Sequence, residues 1–256
     1  MKIAVLIKQV PGAESPLPLA SDNKWIDESS ITFVMNPPDN FALEEALLLK
    51  EKVGEGEVVI LSMGPSRVQK VIREGLAKGA DRGIHIEEKD LIEKDPLIIS
   101  KQLSSVLKSE NFDLILSGLQ SDDTGMGQTG VLIGEILGMS TATLVIETDL
   151  KEDSIKVKRE LESGWFQWVE LPLPASISIQ SGLNTPRYPS LKGIMGAKRK
   201  EIKIIPHSDQ LLIQNVQSVN ELSIPKTSKQ TEVIEGDVDA IVSRLVDVLK
   251  KEIKVI

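Results

Sequence analysis

Ser117-Gly-Leu-Gln-Ser-Asp-Asp-Thr-Gly-Met-Gly-Gln-Thr-Gly130 follows the apolar run Phe112-Asp-Leu-Ile-Leu116 and precedes Val131-Leu-Ile-Gly-Glu-Ile-Leu137. The spacing predicts a buried strand, a glycine-rich loop and a helix. Glycines let a backbone approach a ligand closely. The free N–H groups and dipole of a helix N-terminus favour an anion. The loop matches neither G-x-G-x-x-G nor the lysine-containing P-loop, so neither class applies. In open α/β sheets, ligands sit beyond the carboxyl ends of the strands. This loop leaves such an end, with Gln128, Thr129 and Gly130 at the helix start.

Outward from that loop, strand and helix patterns alternate. Lys2–Lys8 is a short β-type run, ended by Lys8 and Gln9 after too few apolar residues for an export signal. Phe41–Lys50 has helical spacing, with acids early and lysines late. Glu57–Ser62 reads as a buried strand, Pro65 as the opening of a helix, and Gly83–Ile86 as another strand. Asp95-Pro96 is a cap followed by proline at the first helical position. Strands separated by helices of this length predict a mainly parallel sheet. Four β-type runs then follow without helices: Thr141–Glu147, Ile155–Leu161, Trp165–Leu171 and Ala175–Gln180. They predict an antiparallel extension, with Ser163-Gly164 as a hairpin turn. Beyond about residue 205, prolines and the polar stretch Lys226–Glu232 predict an extended arm, then a last helix over Asp237–Lys251. The expected division is an α/β nucleotide-binding domain over 1–205 and a C-terminal arm over 206–256 that packs on a partner.

Composition narrows the function. No cysteine is present, which excludes disulfides, thiolate catalysis and cysteine-ligated metals. His85 and His207 are the only histidines, too few for a histidine-rich metal site. A formal charge of −8 argues against general nucleic-acid binding. Aromatic residues make up 3% of the chain, too few for base-stacking platforms. No run approaches the ~20 apolar residues of a membrane span. The reading expects a cytoplasmic protein, not an integral membrane protein.

Two further corners resemble the first. Met35-Asn-Pro-Pro-Asp-Asn-Phe-Ala42 places Asn36 and Asp39 where they can bond a ribose or base edge; capping of the next helix by Asp39 or Asn40 is the alternative. Ser62-Met-Gly-Pro65 places Met63 either against a flat ring or in the core. Asp122 and Asp123 have no clear third group for metal or acid–base chemistry, and no nucleophile is paired with a base. In Arg187–Lys200, an apolar Leu191 stands among Lys192, Lys198, Arg199 and Lys200. This is either a solvated basic loop or a docking element for an acidic partner.

The chain resembles the beta subunits of electron transfer flavoproteins from residue 1 to about 205. The resemblance rests on Asn-Pro-x-Asp-x-Phe-Ala-Leu-Glu-Glu-Ala-Leu from Asn36 and Gly-Ala-Asp-Arg-Gly-Ile-His-Ile from Gly79. It continues in Ser-Gly-x-Gln…Gln-Thr-Gly from Ser117 and Arg-Glu-Leu-Glu-x-Gly from Arg159. It ends in Asn-x-Pro-Arg-Tyr-Pro-Ser-Leu-x-x-Ile-Met-x-Ala-Lys from Asn184. The resemblance implies an α/β Rossmann-like fold of the adenine-nucleotide-alpha-hydrolase type. It also implies a heterodimer with an alpha subunit that holds most of the redox FAD, and a structural AMP in this chain. AMP contacts carried over by motif are Leu6; Asn36, Pro37, Pro38 and Asp39; Met63; and Gly118, Gln120, Ser121, Asp122, Asp123, Thr124, Gly125, Met126, Gly127, Gln128 and Thr129. Leu191 matches the family's anchor for acyl-CoA dehydrogenases and related flavoenzymes of fatty acid oxidation. Glu160 matches a glutamate that positions the alpha subunit's flavin domain. On this reading the chain is an electron-carrier subunit, not an enzyme. The alternatives are a bifurcating-type beta subunit with its own FAD, and a nucleotide-binding hydrolase or sensor.

Overall fold

The computed structural model describes residues 1–89, 94–206, 215–225 and 231–255. Strand β1 (Lys2–Leu6) runs down the middle of the main sheet, and its apolar residues are buried on both faces. That is the environment a continuous Ile-Ala-Val-Leu run demands. β2 (Gln9–Pro11) and β3 (Phe33–Met35) form a separate antiparallel ribbon. Helix α1 (Pro37–Val53) takes its two prolines in its first turn, where their missing N–H groups cost nothing, and ends at Gly54 with φ of 83°. β4 (Glu57–Gly64) leads through a tight turn at Ser66–Val68 into α2 (Gln69–Lys78), and β5 (Arg82–Glu87) follows. The expected cap at Asp95 is present: its carboxylate accepts the Ile98 N–H at 2.9 Å and opens α3 (Pro96–Glu110). β6 (Leu114–Gly118), the glycine-rich loop and α4 (Thr129–Leu137) come next.

The chain then makes β7 (Ser140–Leu150), β8 (Ser154–Glu160), β9 (Phe166–Pro172) and β10 (Ala175–Ile179). The β8–β9 hairpin turns at Ser163 and Gly164, both with positive φ of 58° and 76°. Of these four strands, only β7, β8 and β9 pair antiparallel with one another. The fourth run, β10, re-enters the sheet parallel to both β6 and β7. α5 (Leu191–Ala197) and β11 (Ile202–Pro206) complete this part. Among the described residues the sheet has nine strands in the order β11-β5-β4-β1-β6-β10-β7-β8-β9. α1 and α2 cover one face through Leu43, Leu47, Ile72 and Leu76. α3 and α4 cover the other through Leu103, Leu107 and Ile133. The order reverses at β1, with β4 on one side and β6 on the other. In a sheet of this class the crevice at that reversal is where ligands bind.

The described residues form two compact units, Met1–Leu222 and Ser223–Ile256. Residues 215–222 belong with the first: Val216 N–H donates to Asp95, and Leu222 N–H to Asn23 O at 2.7 Å. In the second, Asp237 caps α6 (Val238–Asp247), which runs on as a wider turn through Ile253. No α6 residue is buried, and Val238, Val242 and Leu245 face outward. His207 and much of the polar stretch after Pro225 lie outside the described residues.

Candidate functional site

The carboxyl ends of β1, β4 and β6 meet at one edge. Leu6 pairs in register with Leu61 on one side and Ser117 on the other. Met63, buried, stands two residues beyond Leu61. Ser62 Oγ ties β4 to β1 by donating to Ile7 O at 2.7 Å.

Asn36 and Asp39 serve this edge from inside. Asn36 occupies the cap position of α1 but makes no capping bond with its side chain. Its Nδ2 donates to Gln120 O and its Oδ1 accepts the Asp122 N–H, both at 3.0 Å. Asp39 lies within the first turn, so neither it nor Asn40 is the cap. One Asp39 oxygen accepts the Lys8 N–H at 2.7 Å, and the other accepts the Gly118 N–H at 2.9 Å. A single buried carboxylate therefore joins the ends of β1 and β6 to the start of α1. Burial pushes its pKa up to about 7, against the hydrogen bonds from Lys8, Asn36 and Gly118.

The loop between β6 and α4 is built around glycines. A Cβ on Gly118 would lie 2.7 Å from Pro38 Cβ and 2.8 Å from Asp39 N, so only glycine lets β6 end against α1. Gly125 and Gly127 both take left-handed conformations, with φ of 62° and 63°. Lys8 reaches across from β1: its Nζ donates to Asp123 at 2.7 Å and lies near the hydroxyls of Ser121 and Thr124, at 3.3 and 3.4 Å. Burial works to raise the Asp123 pKa, but the Lys8 ammonium and hydrogen bonds from Ser121 and the Thr124 N–H together hold that carboxyl below the usual range. Gln128 stands at the α4 cap without a side-chain bond, and the first turn of α4 has no acid. Its leading amides therefore have no side-chain acceptor. Gln120, Asp122, Thr124, Met126 and Gln128 are exposed around them.

The donor set of this edge is one ammonium, helix-start amides with no side-chain acceptor, hydroxyls and carboxamides. It suits an oxyanion such as a phosphate. Two open cavities are seen elsewhere. One of about 310 Å³ lies beside Gln9, Phe33 and Arg67, and one of about 590 Å³ lies at the opposite edge beside Met1, Lys52 and Asp113. Neither is lined by Ser117–Gly130, so the assignment of this edge rests on its donors. Among the described residues no cluster of three or more metal-ligating side chains gathers. His85 is a structural tie, with Nε2 at 2.8 Å from Gly64 O.

Lys8 was not legible as part of this site. In the sequence it only ends an apolar run, and its partners lie 113–116 residues away. Lys200 is the converse. Expected to face an acidic partner, it donates instead to Leu76 O at 3.1 Å and to Ala80 O, capping the end of α2. Burial pushes its pKa down.

Ser190 caps α5 by accepting the Gly193 N–H at 3.0 Å. Leu191, the first helical residue, is 83% exposed, with Tyr188 and Met195 also exposed beside it. Lys192, Lys198 and Arg199 are exposed around this apolar patch. Glu160 ends β8 and accepts from Gln180 Nε2 at 3.1 Å. Near it, the β8–β9 turn exposes Trp165, Phe166 and Trp168. Lys158 lies over both Phe166 and Trp168.

A family model, the electron transfer flavoprotein domain, matches residues 24–210. The electron transfer flavoprotein subunit beta of Methylophilus methylotrophus is 33% identical, with 98% of each chain covered. The mitochondrial subunit beta of Arabidopsis thaliana is 36% identical over the whole of both chains. That of Homo sapiens is 35% identical over 82% of each. Among the described residues no helix is long and apolar enough to cross a membrane. The chain belongs to the family of electron transfer flavoprotein beta subunits.

Proposed function

We propose that this chain is the supporting half of a heterodimeric electron carrier, with AMP bound at the β1–β4–β6 edge and the redox FAD held mainly by an alpha subunit. The observation behind the AMP reading is the uncapped N-terminus of α4, with Gln128 and Thr129 at the helix start, at the end of a loop that Lys8 holds through Asp123. The phosphate would lie on those amides. Met63 and the loop from Gly118 would border the nucleoside. Asn36 and Asp39 would act through the loop they hold rather than by pointing at the ligand. FAD supplies the redox chemistry when bound, and no residue of this chain is assigned a bond-making step.

Electrons would arrive from acyl-CoA dehydrogenases or related flavoenzymes that dock on Leu191. The alpha subunit would cover the exposed apolar side of α6, and its flavin domain would approach Glu160 and the aromatic turn of β8–β9. Nucleotide released on denaturing the purified chain tests the central point. One AMP per chain without flavin absorbance is the expected result. Stoichiometric FAD would move the chain to the bifurcating type, and an empty site at saturating AMP would end the nucleotide reading.

Lys8→Met gives a second test. It deletes a charged donor and leaves Asp123 without its counter-ion. A charge-assisted bond contributes about 1.5–3 kcal/mol, so AMP affinity should fall roughly tenfold or more. Calorimetric titration of AMP into nucleotide-stripped protein measures this. An unchanged Kd would remove Lys8 from the site.

A further inference from the structure

We propose that Arg187 is a positioning residue for electron-transfer partners: it clamps the base of the docking segment to α1 and so fixes where Leu191 is presented. The inference rests on the docking role of Leu191 proposed above. The Arg187 guanidinium takes Glu44 with Nε at 2.9 Å and Nη2 at 2.9 Å, and Glu51 with Nη1 at 2.6 Å. Its backbone N–H also donates to Glu44, at 3.0 Å. Glu44 and Glu51 are two helical turns apart on one side of α1. A planar fork of donors takes both carboxylates in bidentate geometry, which the point charge of a lysine ammonium does not reproduce. Glu44 is buried, with a side chain only 7% exposed, and Arg187 is its cationic partner. A buried carboxylate of this kind is costly unless paired. Asn184 adds a second tie three residues earlier, donating to Phe41 O and Glu45, both at 3.0 Å.

The far side of the segment is also fixed. Arg73 Nη1 donates to Ala197 O at 2.6 Å and also to Lys200 O. Ala197 is buried, and Gly193 lies so close to Ala77 O that a Cβ would collide with it. Between the Arg187 clamp and α5 only Tyr188, Pro189 and Ser190 intervene. With both ends held, the Leu191 side chain is preorganised, and docking avoids part of the cost of ordering a loop. Without Arg187, the base is released and Leu191 samples positions that miss a pocket.

The test uses the intact heterodimer, a reduced acyl-CoA dehydrogenase as donor, and the variants Arg187→Gln, Arg187→Lys, Leu191→Ala and Arg187→Gln/Leu191→Ala. Arg187→Gln is expected to raise the KM for the carrier three- to tenfold, with kcat within twofold of wild type. In the Leu191→Ala background the same change should add less than twofold. Arg187→Lys, which keeps the charge but not the fork, should resemble Arg187→Gln and serves in its place if Arg187→Gln fails to fold. Hydrogen exchange supplies a readout independent of the dehydrogenase. The amides of Gly193 and Ile194, both bonded to Ser190, should exchange at least tenfold faster, while those of β1 and β4 keep their wild-type rates. Unchanged exchange at Gly193 and Ile194, or a KM penalty of equal size with and without Leu191, overturns the clamp. If Leu191→Ala itself left KM unchanged, the docking reading would fall, and the exchange measurement would still decide whether Arg187 holds the segment.

Discussion

Asp39→Ala is expected to cost about 2–6 kcal/mol of stability and to empty the proposed nucleotide site. Two half-buried donors, the Lys8 and Gly118 N–H groups, lose their acceptor together. Each unsatisfied donor of this kind costs roughly 1–3 kcal/mol. The loss is not local, because Gly118 begins the loop proposed to receive the phosphate and Lys8 binds that loop. Asp39→Asn keeps the volume but turns an amide NH2 toward one of the two donors, so its penalty should be about half as large. The two forms also separate with pH. In the folded chain the carboxyl is raised to about 7, well above its ordinary value near 3.8. Between those values the folded state binds more protons than the unfolded state, so this group's contribution falls as pH rises from about 4 to 7. Asparagine has no such slope. Denaturant unfolding of both proteins at pH 4.5, 6 and 7.5 measures the difference. Wild type should lose stability relative to Asp39→Asn as pH rises. A constant difference would show that Asp39 is ionised throughout, with its hydrogen bonds outweighing burial.

What the sequence made legible was local. Pro37 and Pro38 at a helix start, the Asp95 cap and the Ser163-Gly164 turn each follow from the conformation one or two residues permit. The glycine loop at the end of β6 could be placed because a strand, a loop and a helix are contiguous in the chain. What stayed hidden depends on long-range register. β10 looks like a fourth member of an antiparallel run, and nothing in Ala-Ser-Ile-Ser-Ile says that it slots between β6 and β7. Its burial on both faces is the trace of that position. Asn36 and Asp39 were read from the sequence as candidate ligand contacts. Their inward bonds to residues 118–122 come from a loop some 80 residues away. Lys200 read as one basic residue among several, because the α2 carbonyls it caps are more than 100 residues earlier.

Leu191→Ala is expected to lower affinity for the proposed dehydrogenase partner by about ten- to 150-fold while leaving the fold intact. The side chain is 83% exposed, so it contributes little to the stability of this chain. Its neighbours Lys192, Lys198 and Arg199 are also exposed, a poor setting for leucine unless the residue enters a pocket on another molecule. Complete burial of a leucine stabilises an interface by roughly 1.5–3 kcal/mol, and each 1.4 kcal/mol is about tenfold in Kd. The three exposed cations act differently. They attract an acidic partner over a distance, so salt should weaken association in wild type and Leu191→Ala by the same factor. Lys200 should share less in that effect, because its part-buried ammonium is held by the carbonyls of Leu76 and Ala80 rather than presented to a partner. Replacing it should lower the melting temperature rather than the salt sensitivity. Electron transfer from reduced dehydrogenase, followed against dehydrogenase concentration at two ionic strengths, separates the apolar anchor from the charges. A Leu191→Ala carrier that saturates at the wild-type concentration would mean that the exposed leucine meets no pocket, and the contact would then have to be carried by Tyr188 and Met195.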